Sequence, residues 1–186
     1  ELTTKILETY KKPFADLAET AFDIHSFSLD ETKIFYQAKA NTTIPIIIKP
    51  RLIGTNQTPE VRDLIAGNWY EYDKKEDRNY DISAITKIPT PTPARTRTRT
   101  QPPSTLNAKN VIVDTILWHP NSTHLIIKGT NDVSIANFDS SHKQIVYSGP
   151  FEHNFLAVTG DGKLLILANL NPQRNNLPDL YAVGIK

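Results

Sequence analysis

The sequence has no cysteine and no methionine. Without cysteine there is no disulfide, no thiolate metal ligand and no cysteine nucleophile. The missing methionine extends to position 1, where the chain has Glu1; this reads as a processed or truncated segment. Long apolar runs are also missing. The stretch Ile44–Ile48 is broken by Pro45 and ends at Lys49, far short of the ~20 residues that span a bilayer. Neither a transmembrane segment nor a signal peptide is expected. An excess of charge of either sign is also missing: the net charge is +1, so bulk charge argues for neither nucleic acid nor a membrane surface. The sequence contains no G-x-S-x-G elbow, no H-E-x-x-H and no P-loop, and no enzyme is expected.

What is present is strand and turn. FDIHSF and KIFYQA flank the polar turn Asp30-Glu31-Thr32-Lys33. WYEY and NYDI flank the charged turn from Asp73 to Asp77, which reads as a solvated hairpin tip. Further on, VIVDTILWH, HLIIKGT, DVSIANF, QIVYSG, NFLAV, LLILANL and DLYAVGIK are short apolar segments separated by turns. This spacing, with almost no helical periodicity, predicts an all-β fold. ELTTKILETY reads as a Thr-rich strand stopped by Pro13, and residues 13–22 as at most a helical turn. Residues 41–66 read as an insertion. Pro45 and Pro50 exclude TIPIIIKPRLI from a central strand, so an edge strand or extended arm is expected. KIPTPTPARTRTRTQPPST reads as a solvated, mobile loop. Its Arg-Thr alternation lacks the aromatic residues that would stack on bases, so no nucleic-acid partner is expected.

Three stretches echo one another: SLDETKIFY, HPNSTHLII and TGDGKLLIL. Each is a polar turn with Asp or Asn feeding an apolar strand. The step from His119 to Thr159 is about one four-stranded propeller blade, roughly 40–45 residues. The three stretches resemble the S-P-D-G-x-x-I/L signature of WD40-like, TolB-type β-propeller repeats. Leu29 stands for the proline, Glu31 and Ser122 stand for the glycine, and Asp161-Gly162 keeps the pattern. The closing PDLYAVGIK resembles the last strand of propeller repeats in large bacterial proteins, some with a membrane anchor and a PEGA domain. The resemblance implies a β-propeller fragment of about three four-stranded blades. Residues 1–86 would hold a partial outer strand and a first blade with the 41–66 insertion. Residues 87–109 would be the Pro/Thr/Arg-rich loop, 110–150 a second blade and 151–186 a third, incomplete one. A missing chain segment, another chain or a second copy would complete the ring. The resemblance also implies an extracytoplasmic or cell-surface setting.

Candidate site residues are few. Asp30, Asn121, Asp161 and Gly162 read as structural residues of the repeated turns. His119 and His124 flank a turn with no third ligand suggested, and His142 and His153 lie in other turns, so no metal or cofactor is expected. TGDGK lacks the spaced oxygen ligands of a calcium loop. Sequons begin at Asn41, Asn56 and Asn121, a pattern that arises readily by chance in an Asn/Thr-rich chain. Trp69, Tyr70, Tyr72 and Trp118 are possible ligand-contact aromatics, against the plainer reading of packing between blades. The sequence therefore points to a non-catalytic scaffold for protein or ligand binding. The alternatives are the gating propeller of a peptidase or hydrolase whose catalytic domain lies elsewhere, and a carbohydrate-binding surface module.

Overall fold

The computed structural model describes residues 2–53, 57–86, 116–171, 173 and 177–185. The Pro/Thr/Arg-rich segment 87–109 lies outside these residues. Helices α1 (Leu2–Leu7) and α2 (Lys12–Ala21) come first, followed by strands β1 (Phe22–Phe27) and β2 (Lys33–Ala38). The short pair β3 (Thr42–Thr43) and β4 (Asp63–Leu64) brackets the insertion. Strands β5 (Trp69–Asp73) and β6 (Arg78–Asp81) complete a four-stranded antiparallel sheet in the order β1-β2-β5-β6. After a single helical turn, α3 (Ser83–Thr86), come β7 (Ile116–Trp118), β8 (His124–Lys128), β9 (Asp132–Asn137) and β10 (Gln144–Ser148). These form a second four-stranded meander. Strands β11 (Leu156–Val158), β12 (Leu164–Ala168) and β13 (Asp179–Val183) form a third, three-stranded one.

The meanders stack face on face in chain order, and period-two alternation decides which residue goes where. In β8, Leu125 packs toward Phe35, Trp69 and Tyr80 of the first sheet. Its neighbour Ile126 packs toward Leu164, Ile166 and Ala168 of the third. The second sheet is thus apolar on both faces because it is covered on both. First strands also meet: Trp118 Nε1 in β7 donates to Ser26 Oγ in β1 at 3.1 Å.

The N-terminal segment is helical, which corrects the expectation of an outer strand. Pro13 sits in the first turn of α2 rather than stopping a strand, a position where its missing N–H costs nothing. Phe14, Ala18 and Ala21 then fall on one buried face. Burial overrides the Thr-rich propensity of the first residues. Ile6, Leu7 and Tyr10 pack with Phe14, Phe22, Ile34, Tyr36 and Tyr72 into one core. Phe14 stacks on Tyr72 with ring centroids 3.9 Å apart, and Tyr10 donates its hydroxyl to the Glu31 carbonyl at 2.9 Å. These helices cover the outer face of the first sheet, so the N-terminal segment does not supply a strand to the third.

The insertion covers the same face. It enters no long edge strand; between β3 and β4 the described residues are irregular. Ile44 and Leu64 anchor it in the helical core. Arg62 donates to the Pro45 carbonyl at 2.7 Å, and Asp77 accepts the Ile47 and Ile48 N–H groups at 2.8 and 2.9 Å. The backbone donors that prolines keep out of a ladder find a carboxylate instead.

The three echoing turns share one geometry. Glu31, Ser122 and Gly162 donate backbone N–H groups to the carbonyls of Ser28, His119 and Thr159 at 2.9, 3.0 and 2.8 Å. All three take positive φ, +56°, +58° and +83°. Ser28 and Thr159 each send a hydroxyl to the Asp two residues on, and Thr123 N–H bonds to Asn121 Oδ1. Asp30, Asn121, Asp161 and Gly162 are therefore turn-forming residues. A Cβ on Gly162 would sit 2.8 Å from His119 Nε2. Gly162→Ala is expected to cost about 1–2 kcal/mol from its left-handed backbone, with added strain at His119. A urea melt that superimposes on wild type would refute this.

Candidate functional site

The three turns stand in a row along one end of the stack. Asp30 N–H donates to Ser122 Oγ at 3.0 Å, joining the first turn to the second. His119, in the second turn, lies against Gly162 in the third. Loops carried on a rigid frame in this way are where binding residues concentrate.

Beside the second turn is a cleft of about 260 Å³, lined by His119, Asn121, His124, Ile135, Asn137, His142, Gln144 and Ile185. Two turns of one sheet build it. The β7–β8 turn supplies His119 and Asn121, and His124 opens β8; Asn137 ends β9 and the β9–β10 turn supplies His142. His142 holds φ +52°. The His119 and His124 rings are 6.1 Å apart, edge to face. Burial, with His119 adding to it, holds the His124 imidazole below its ordinary pKa, so it is neutral at pH 7. Among the described residues no three side chains of His, Asp or Glu converge as metal ligands. Sequence spacing does not show that His142 joins His119 and His124. Only the antiparallel return of β9 and β10 places the two turns side by side.

The candidate aromatics lie elsewhere. Tyr70 and Tyr72 are buried in the helical core, and Trp69 is buried between the first and second sheets. Trp118 is half-buried in that same interface. They pack, and a sugar ring has no access to Trp69, Tyr70 or Tyr72. The hairpin tip from Asp73 to Asp77 is also less solvated than its charges suggest, because Asp73 and Asp77 are both buried.

A polar layer is sealed between the first and second sheets. Glu71 lies in register with Phe35 and Tyr80 and is fully buried. Neither of its carboxyl oxygens has a hydrogen-bond partner. Burial pushes this carboxyl well above the usual range. The Asp73, Asp139 and Glu76 charges add to the rise, and Lys33 opposes it. Lys33 is paired with Asp73 at 3.5 Å and stands 4.9 Å from the Phe138 ring.

The third sheet leaves one face open. Leu156, Ile166 and Tyr181 point into the stack, so the alternate residues Ala157, Leu165, Leu167, Leu180 and Ala182 point away from it. This outer face is aliphatic and uncharged, and Leu180 is 59% exposed. No helix among the described residues is long and apolar enough to cross a membrane. Comparison with protein-family models, with curated proteins and with solved structures returns no match.

Proposed function

We propose that this chain is a non-catalytic module of the β-propeller type, whose third sheet docks against a further β-sheet and whose turns present a binding edge. The open aliphatic face of the third sheet carries the reading. β12, sequence LLILA, is apolar on both faces like the core of β8, and β8 is covered on both. A strand with this pattern calls for a second cover. Chain-order stacking of antiparallel meanders, with first strands adjoining and one turn geometry repeated, supports the propeller reading.

The opposite end is closed by α1, α2 and the insertion, so a ring joining the third sheet of one copy to the first sheet of another is blocked. Two copies meet instead through the same open face, in an isologous two-fold contact. That face carries no charge to repel its twin.

Sedimentation velocity over a concentration series tests this. The wild-type chain is expected to associate reversibly, and Leu180→Lys to remain monomeric with an unchanged circular dichroism spectrum. A wild-type chain that stays monomeric throughout would remove the second copy as occupant. Substrate turnover by the chain would overturn the non-catalytic reading.

A further inference from the structure

Two of the three imidazoles of the cleft, His119 and His124, have their tautomers fixed by their neighbours. His119 Nδ1 faces the Asn121 backbone N–H at 3.3 Å, which can only donate. Asn121 Oδ1 accepts the Thr123 N–H, so its amide nitrogen is the end that meets His124 Nδ1, at 2.8 Å. Ser141 gives its hydroxyl proton to Asp139 at 2.6 Å and therefore accepts from Asn137 Nδ2. That same Nδ2 lies 3.1 Å from His142 Nδ1. The Nδ1 atoms of His119 and His124 are acceptors, so these rings when neutral carry their proton on Nε2. His142 Nδ1 also lies 3.1 Å from Ser141 Oγ, which can accept from it, so either nitrogen of that ring can carry the proton. His119 turns Nε2 toward Gly162. Among the described residues, no hydrogen bond engages Nε2 of His124 or His142.

The lining of this cleft thus combines the His124 Nε2–H and the His142 imidazole with the apolar Ile135 and Ile185, and holds no carboxylate. We propose that the cleft is a binding site for an anionic oxygen group, a carboxylate or phosphate, held by the Nε2–H of His124 and by the His142 imidazole, which presents an Nε2–H in one neutral tautomer and when protonated. Donors without a competing carboxylate suit an oxyanion, and a small half-open cleft suits one such group rather than a large ligand. The site is independent of the sheet-docking face and stands or falls without it.

Acidification strengthens the binding, because His124 on gaining a proton adds a positive charge beside the oxyanion. The charged groups near the cleft include Asp139, which accepts the Ser141 hydroxyl beside His142 at 2.6 Å and whose negative charge opposes an anion there. The Asp161–Lys163 ion pair flanks Gly162 on the third sheet's turn, and Lys143 adjoins His142 in sequence. The ion pair is internally neutral, so it contributes little field of its own.

The experiment is a long-range proton–nitrogen NMR titration of the histidine rings in the full chain. Sodium phosphate and sodium acetate are added against sodium chloride at matched ionic strength, at about pH 6 and about pH 8, either side of the usual histidine range. The expected result is a saturable Nε2 shift at His124 and His142, tighter at the lower pH, with His25 and His153 unmoved. A response to phosphate, to acetate or to both supports the site. A shift shared with His153, a linear shift, or saturation only with zinc chloride overturns it. The double variant His124→Gln/His142→Asn should lose the saturable shift of the backbone amides around the cleft. The wild-type titration decides the matter even if that variant folds poorly.

Discussion

Asp77→Ala is expected to lower the unfolding free energy by about 3 kcal/mol, the lower end of what breaking a buried ion pair costs. The Asp77 side chain is buried and carries four interactions. Oδ2 accepts the Ile47 and Ile48 N–H groups at 2.8 and 2.9 Å. Oδ1 accepts the Tyr72 hydroxyl and the Arg62 guanidinium, each at 3.0 Å. Truncation leaves two backbone donors and a phenol without partners, and each orphan costs about 1–3 kcal/mol if it stays buried. Arg62 keeps Glu60 at 2.6 Å, which holds the loss toward the low end. Alanine is also a poor residue for the φ of +52° that Asp77 adopts. Asp77→Asn tolerates that backbone and keeps one oxygen acceptor, so it should lose less.

Burial alone would raise the Asp77 carboxyl, but the Ile48 and Ile47 N–H groups and Arg62 outweigh it and hold its pKa below the ordinary value. Its contribution is therefore present above the unfolded-state pKa and is lost as pH falls through the folded one. Urea unfolding at neutral pH measures the first effect. Limited proteolysis of the 41–66 segment reports whether the insertion has come off the sheet. An alanine variant as stable as wild type, with the insertion still protected, would show that the carboxylate is dispensable.

The hairpins were legible because their signal is local. Alternation in KIFYQA and the turn residues around Asp30 act within a few positions of each other, and the chain needs nothing distant to obey them. Of the N-terminal helices only a turn within residues 13–22 was legible. LTTKIL is too short and too rich in threonine to fold as a helix alone, and it is helical because Ile6, Leu7 and Tyr10 have a sheet to lie on. The aromatic strand WYEY was read for its position in a hairpin. Its burial depended on covers supplied by α2 on one side and the second sheet on the other. The histidine cleft was the least legible feature, because His142 reaches His119 and His124 only through the pairing of β8, β9 and β10. Sequence shows the three histidines as separate turn residues, and the fold makes them neighbours.

Replacing Glu71 should have the opposite sign of effect from replacing Asp77, and should show it on the alkaline side. Glu71 sits at the centre of the first sheet, with Phe35 and Tyr80 as its register neighbours. The charged groups around it are Asp73 and Glu76 from its own hairpin, Lys33 from β2 and Asp139 from the second sheet. Burial first, then the Asp73 charge, lifts its pKa well above the ordinary value. The folded protein therefore keeps a proton on Glu71 that the unfolded chain has already released. Between the two pKa values the folded state binds more protons, so stability falls as pH rises, by up to about 1.4 kcal/mol per pH unit. Below the unfolded-state value the effect is fully favourable; above the folded-state value the carboxylate is buried as an anion with no hydrogen-bond partner. Glu71→Gln removes this slope while keeping the shape, and Glu71→Leu also removes the orphaned polar atoms. The measurement is the difference in unfolding free energy between each variant and wild type across the neutral and alkaline range. That difference should grow steadily in favour of the variants as pH rises, with Glu71→Leu above Glu71→Gln throughout. If the curves run parallel to wild type, Glu71 does not titrate in the folded state, and the layer between the two sheets holds its charge by some other pairing.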